Sequence, residues 1–239
     1  MPRKYLALLA SVGALTATTT IQAASIIAPV TQSQGFTGQP NLSKTVQFAK
    51  FDSSLGTLES VEWRLILDIE GGSLTVDNDG ELPATVAVEL GARGSITSTD
   101  VKLLTDSFDS ILSGANAVGV GTGTVFNLAP DNGDMGTFDP TMPDADTHIG
   151  GSASASGNGL VGAGFLSDYI GTDMFSVAVK VDQLLEFGGV GGVSGQFDPV
   201  MASPNVQLIY NYSVPEPASI LSALGGVLAM LAWGRRRDG

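Results

Sequence analysis

Residues 61–69 read VEWRLILDI, with Trp63, Leu65, Leu67 and Ile69 at alternate positions and Glu62, Arg64, Ile66 and Asp68 between them. A strand sends successive side chains to opposite faces, whereas a helix repeats every 3.6 residues. Strict alternation therefore predicts a half-buried strand. The pattern recurs in residues 45–51 (TVQFAKF), where Val46 and Phe48 share a face before Phe51 breaks step. It recurs again in 84–90 (ATVAVEL), 175–181 (FSVAVKV) and 206–212 (VQLIYNY). Gly71-Gly72 is expected to close a hairpin onto a short strand at 73–76, and Asn78-Asp79-Gly80 marks a second turn. Short strands with turns between them predict an all-β fold, an antiparallel β-sandwich or jelly-roll-like domain. Only 101–112 and 181–186 tempt a short helical turn. Residues 114–164 read as loop-rich, with DNGD, DPTMPDAD and GSASASGNG, and there is no internal repeat.

The two ends follow different rules. Residues 1–4 are positive through Arg3 and Lys4, residues 5–15 (YLALLASVGAL) are apolar or small, and Ile21-Gln22-Ala23-Ala24 closes the segment. That order predicts a secretory signal peptide over 1–24, removed by signal peptidase after Sec export, with cleavage after Ala23 or Ala24. The apolar run is too short to span a bilayer. At the other end, Pro215-Glu216-Pro217 precedes residues 218–233, which carry no charge, and then Arg235, Arg236 and Arg237. Two prolines make the first part extended and exposed. The uncharged run predicts a single transmembrane helix roughly 24 Å long. Trp233 sits at its interfacial end, and the arginines belong on the cytoplasmic side.

The body between the ends is acidic. Between Ala24 and Val214 lie 6 basic and 22 acidic residues, a formal charge of −16. Such a surface repels phosphate backbones and excludes nucleic acid as a partner. With no Cys among 239 residues, disulfides, thiolate nucleophiles and Cys-ligated metals are excluded together. A body of this size buries a working core without them.

The tail at 214–237 resembles the PEP-CTERM sorting domain. In that family an exosortase, a membrane-embedded processing enzyme, recognises the tail, and the body passes to the cell surface or the exopolysaccharide matrix of a Gram-negative bacterium. The resemblance implies Pro215, Glu216, Pro217, Arg235, Arg236 and Arg237 as the sorting signal, and a residence in the inner membrane that is transient. The body at 25–213 is similar to the choice-of-anchor domains, type E above all. That likeness rests on residues 51–61 (FDSSLGTLESV), on Asp168-Tyr169-Ile170-Gly171 and on Tyr210-Asn211-Tyr212. It implies an exported β-rich domain and no reaction. Phe51 is expected in the core, Leu55-Gly56 in a turn, and Leu58 and Val61 at the start of the next strand.

Chemistry-bearing patterns are sparse. His148 is the single histidine, expected in an acidic loop, and no GxSxG element accompanies it. Asp68 and Glu70 share one face of a strand, the kind of pair a glycosidase uses, as does a merely solvated face. Asp77-Asn78-Asp79-Gly80-Glu81 resembles the first half of a calcium loop, although the twelfth position is Val88 rather than Glu. Asp131, Asp134, Asp144 and Asp146 form a second acidic group near His148. These residues are the candidate calcium ligands, and no other cofactor is expected. The glycine runs at 119–124 and 188–192 lack a phosphate-loop ending. Trp63, Tyr169, Tyr210 and Tyr212 are the aromatics that would serve a carbohydrate, with Trp63 better placed in the core. The expectation is a non-enzymatic exported protein. The alternative is a calcium- or carbohydrate-binding adhesion module, and the third reading is a secreted hydrolase.

Overall fold

The computed structural model describes residues 26–112, 114–133, 136–140, 143–188 and 192–214. Among them the strands are β1 (Ile26–Gly35), β2 (Leu42–Ala49), β3 (Thr57–Glu70), β4 (Ser73–Asn78), β5 (Ala84–Thr97), β6 (Ala115–Leu128), β7 (Ala145–Ile149), β8 (Ser152–Leu160), β9 (Met174–Gly188), β10 (Val193–Asp198) and β11 (Met201–Val214). The helical pieces are 3-10 turns at Ser53–Leu55 and Ala163–Tyr169. Among the described residues no helix is long and apolar enough to cross a membrane. The predicted span at 218–233 and the predicted signal peptide at 1–24 lie outside them.

All the strand pairings are antiparallel, and the chain is a rolled double ribbon. From its tip at β5–β6 the ribbon continues through β4–β7, β3–β8 and β2–β9 to β1–β11. Successive pairs fall in different sheets, which read β1-β11-β3-β8 and β2-β9-β5-β6, with a smaller sheet β10-β4-β7. This is the wrapping of a jelly roll, a sandwich built from an antiparallel ribbon.

The alternation seen in the sequence places the core between the two large sheets. Val61, Trp63, Leu65, Leu67 and Ile69 of β3 are buried, as are Val46, Phe48, Phe175, Val177 and Val179 opposite. The indole of Trp63 meets Phe48 edge-on at 5.1 Å and Phe175 at 6.1 Å, which ties the sheets together. Truncating a buried aromatic of this kind costs about 3–5 kcal/mol. At the side of the sandwich Gln32 of β1 closes the gap to β2. Its amide nitrogen donates to the Ala49 carbonyl and its amide oxygen accepts from the Ala49 N–H, both at 2.8 Å.

Three expectations need correction. The hairpin at Gly71-Gly72 does not form, because both edges of β3 are already taken, by β11 and β8. The two glycines, at φ +73° and +82°, instead turn the chain into the smaller sheet. Gly150 and Gly151 cross at the same level, with the Gly71 N–H donating to Gly151 O at 3.1 Å and the Gly150 N–H to Gly72 O at 2.9 Å. A Cβ on Gly150 would overlap the Gly71 carbonyl oxygen, so the bend requires glycine there.

The stretch 114–164 is not mainly loop, since it holds β6, β7 and β8. Small inward residues disguised β8. Ala153, Ala155, Gly157 and Gly159 alternate with Ser152, Ser154, Ser156 and Asn158, and a Cβ on Gly159 would overlap the Ile111 carbonyl oxygen. Two register shifts against β5 break the period of β6. Helical turns at 101–112 and 181–186 are likewise absent. The first is an irregular connection, and the second lies inside β9, where the ladder to β5 overrides local preference.

Candidate functional site

The segments 51–61, 168–171 and 210–212 lie far apart in sequence and meet around Phe51. The Phe51 N–H donates to Tyr169 O at 2.8 Å, and the Gly171 N–H donates to Phe51 O at 3.0 Å. The Phe51 ring lies 5.7 Å from Tyr210 and 5.2 Å from Tyr212. Asp52 starts the turn by accepting the Ser54 N–H at 2.8 Å, which holds its carboxyl below the usual range. Phe51, Leu58 and Val61 are buried, as expected, and Leu55 closes the 3-10 turn before Gly56.

Trp63, Tyr169 and Tyr210 are fully buried and serve this architecture. The Trp63 Nε1–H donates to Tyr169 Oη at 3.1 Å, and the Tyr169 hydroxyl donates to Lys102 O at 2.8 Å. The Tyr210 hydroxyl donates to Ala49 O at 2.9 Å. Burial pushes both phenols up from their ordinary value. These rings form no platform, and Tyr212 is half-buried against Phe51. Among the described residues the fold does expose Phe108, held at φ +64° on a turn and packed edge-on against Phe165 at 5.5 Å, and Phe197.

The calcium candidates fall in two environments. Asp77 and Asp144 are buried where β4, β7 and their connections meet. Asp77 Oδ2 accepts the Asp139 N–H at 2.7 Å. Asp144 accepts from Asn132 N at 2.6 Å and from Asn132 Nδ2 at 3.2 Å, so it works as a loop latch. Burial pushes the Asp77 carboxyl up, the Asp139 N–H opposes that, and the charges of Asp79, Asp144 and Asp139 add to the rise. Asp79 Oδ1 is buried without a hydrogen-bond partner among the described residues. Asn78 stitches the same corner together, donating from Nδ2 to Leu82 O and Ala129 O at 2.9 and 2.6 Å.

The remaining candidates are elsewhere or otherwise engaged. Glu81 and Asp146 are exposed, and Asp131 accepts the Gly133 N–H in an Asx turn. Asp134 lies outside the described residues. Among the described residues no three acids or histidines are grouped as a metal would require. His148 is not in a loop but in β7 opposite Leu74, edge-on to Phe126 at 6.5 Å.

A groove of about 440 Å³ lies on the outer face of β8, β3 and β11, beside the bend at Gly71-Gly72. Its polar lining comes from Asp68, Glu70, Ser152, Ser154, Ser203 and Thr37. Strand register assembles it: Asp68 pairs with Ser154 on one side and Ser203 on the other, and Glu70 with Ser152 and Met201. The Thr37 and Ser203 hydroxyls share a hydrogen bond of 3.0 Å. Among the described residues the Asp68 and Glu70 carboxylates make no hydrogen bond or ion pair within the protein, and both residues are exposed. They rise from one strand rather than facing each other across the groove. The shared face of Asp68 and Glu70 was readable from the sequence, but their neighbours were not. The alternating serines of GSASASGNG were the available signal.

The sorting residues Pro215, Glu216, Pro217, Arg235, Arg236 and Arg237 lie outside the described residues. No protein-family model matches this chain, and no curated protein matches it. Among solved structures, the chain aligns with infectious bursal disease virus Gx strain at 13% identity, over 84% of this chain and 44% of that one, with a TM-score of 0.17. It aligns with the Gt strain at 12% identity, over 92% and 50%, with a TM-score of 0.09. It aligns with particles of the same virus of T=1 form at 12%, over 99% and 56%, with a TM-score of 0.10. The chain thus spans about half the length of these structures. TM-scores this low carry no argument about fold or function.

Proposed function

We propose that this chain is a non-enzymatic exported protein. An exosortase-type membrane enzyme sorts it to the cell surface or exopolysaccharide matrix of a Gram-negative bacterium. The order of the tail carries the reading: Pro215-Glu216-Pro217, the uncharged residues 218–233, then Arg235 to Arg237. An extended, proline-stiffened segment just outside a bilayer is accessible to a membrane-bound protease, and the arginines favour the cytoplasmic side. Signal peptidase and the Sec route handle the other end, and residence in the inner membrane is transient.

Two features of the body support this reading. Val214 pairs with Ile26, so the first and last described residues are partners in one sheet. The convergence of three segments on Phe51 supports the likeness to choice-of-anchor domains, because each segment has a packing reason to be there. A second reading, a carbohydrate-binding module, is favoured by the groove at Asp68 and Glu70.

The sorting role is tested by Glu216→Ala in the native host. The full-length protein should then accumulate in the membrane fraction. A mature body lacking residues 218–237 in that variant would refute the role of Glu216.

A further inference from the structure

We infer that the groove on the outer face of β3, β8 and β11 is a binding site for a neutral saccharide. This deepens the reading above, and rests on it only for where the protein meets such a ligand. At about 440 Å³ the groove lies in the size range of small-ligand sites.

The lining selects the ligand. Ionised Asp68 and Glu70 are pure acceptors, with two oxygens each. Ser152, Ser154, Ser203 and Thr37 both donate and accept. A ligand that satisfies them must carry many hydroxyls, each able to donate to a carboxylate and to accept from a serine. Met201, 43% exposed, contributes the apolar side chain of the lining, which suits the C–H face of a sugar ring.

Charge excludes the alternatives. Among the described residues no cationic side chain lines the groove. Arg64, two side-chain rows along β3, is committed to Glu62 at 3.2 Å. Anionic sugars and phosphates would therefore meet two carboxylates with no compensation. Asp198, beside the same bend, is spent internally, accepting from Ser73 at 2.8 Å. Asp68 and Glu70 keep their full accepting capacity for solvent or a ligand. A peptide strand would add to a sheet edge, whereas this groove lies on a face, with β3 flanked on both sides.

The test is calorimetric titration of the full chain in detergent with four probes and calcium chloride. Three probes are neutral, a gluco-, a manno- and a galacto-oligosaccharide, and the fourth is a galacturonan oligosaccharide. At least one neutral probe should bind, and the galacturonan should bind about tenfold more weakly or not at all. The double variant Asp68→Ala/Glu70→Ala should lose about tenfold or more in affinity, since the hydrogen bonds that the carboxylates accept from the ligand are lost. Its Tm should not change, because both residues are exposed. Ser154→Lys, which fills the groove and sets an ammonium beside its cross-strand neighbour Asp68, should also weaken binding.

The inference is overturned if no neutral probe binds, if the double variant binds as the parent does, or if the galacturonan binds as tightly. Calcium binding that the double variant abolishes, without saccharide binding, would make the groove a cation site and overturn it too. A chain that binds no saccharide yet leaves the cell without its tail would refute this inference and spare the sorting reading. A chain that binds but is never exported would do the reverse.

Discussion

Trp63 and Tyr169 meet through a single buried hydrogen bond of 3.1 Å from the indole N–H to the phenol oxygen, and the same phenol donates to Lys102 O at 2.8 Å. One hydroxyl thus connects the centre of β3, the turn before β9 and the irregular stretch after β5. The buried indole N–H depends on it.

Tyr169→Phe keeps the ring and removes that hydroxyl. The buried Trp63 Nε1–H is then left unsatisfied, which costs about 1–3 kcal/mol. The urea midpoint should fall while the slope of the transition stays the same. A variant as stable as the parent would show that the bond does not hold these three segments.

Asp77 gives a pH dependence. Its carboxyl is pushed up from an ordinary value of 3.8, first by burial and then by the charges of Asp79, Asp144 and Asp139. The folded protein therefore holds this proton more tightly than the unfolded chain. Ionising Asp77 costs stability as pH rises from the unfolded value through the folded one. Asp77→Asn keeps an acceptor for the Asp139 N–H and removes the charge. Its Tm should exceed the parent's at pH 7, and the gap should close as pH falls below 3.8. A gap independent of pH, or a variant less stable at neutrality, would contradict the assignment.

The bend separates two glycine roles. Gly71 has φ +73° but open space around its Cβ position, so Gly71→Ala should cost about 1–2 kcal/mol for left-handed backbone alone. Gly150→Ala would drive its Cβ into the Gly71 carbonyl and should be markedly worse. Thermal melts of the two variants decide this. Equal losses would mean that the two segments are not in contact at the bend.

Much of the sandwich was legible, and the failures have common causes. β3, β9 and β11 alternate large apolar with polar residues, because both faces of each strand meet uniform surroundings. β8 alternates too, but its inward residues are Ala and Gly, and a hydrophobicity reading passes over them. The size of those residues is set by the nearness of Ile111 and Gly114, which only the fold reveals. β6 shifts register twice against β5, so no single period describes it. Gly71-Gly72 announced a turn, but not that both edges of β3 were occupied. At the groove, Asp68 and Glu70 were readable as one face. Ser154 and Ser203 join them through strands at great distance in sequence, and local pattern does not carry pairing between such strands.

The central claim is that this body is exported and freed from both ends. Cells of the native host should be fractionated into cytoplasm, membrane, surface and medium, and the intact mass of the protein measured in each. The account predicts a surface or extracellular product that begins after Ala23 or Ala24 and lacks residues 218–237. A product that retains the tail outside the cell, or a full-length chain confined to the cytoplasm, would contradict it.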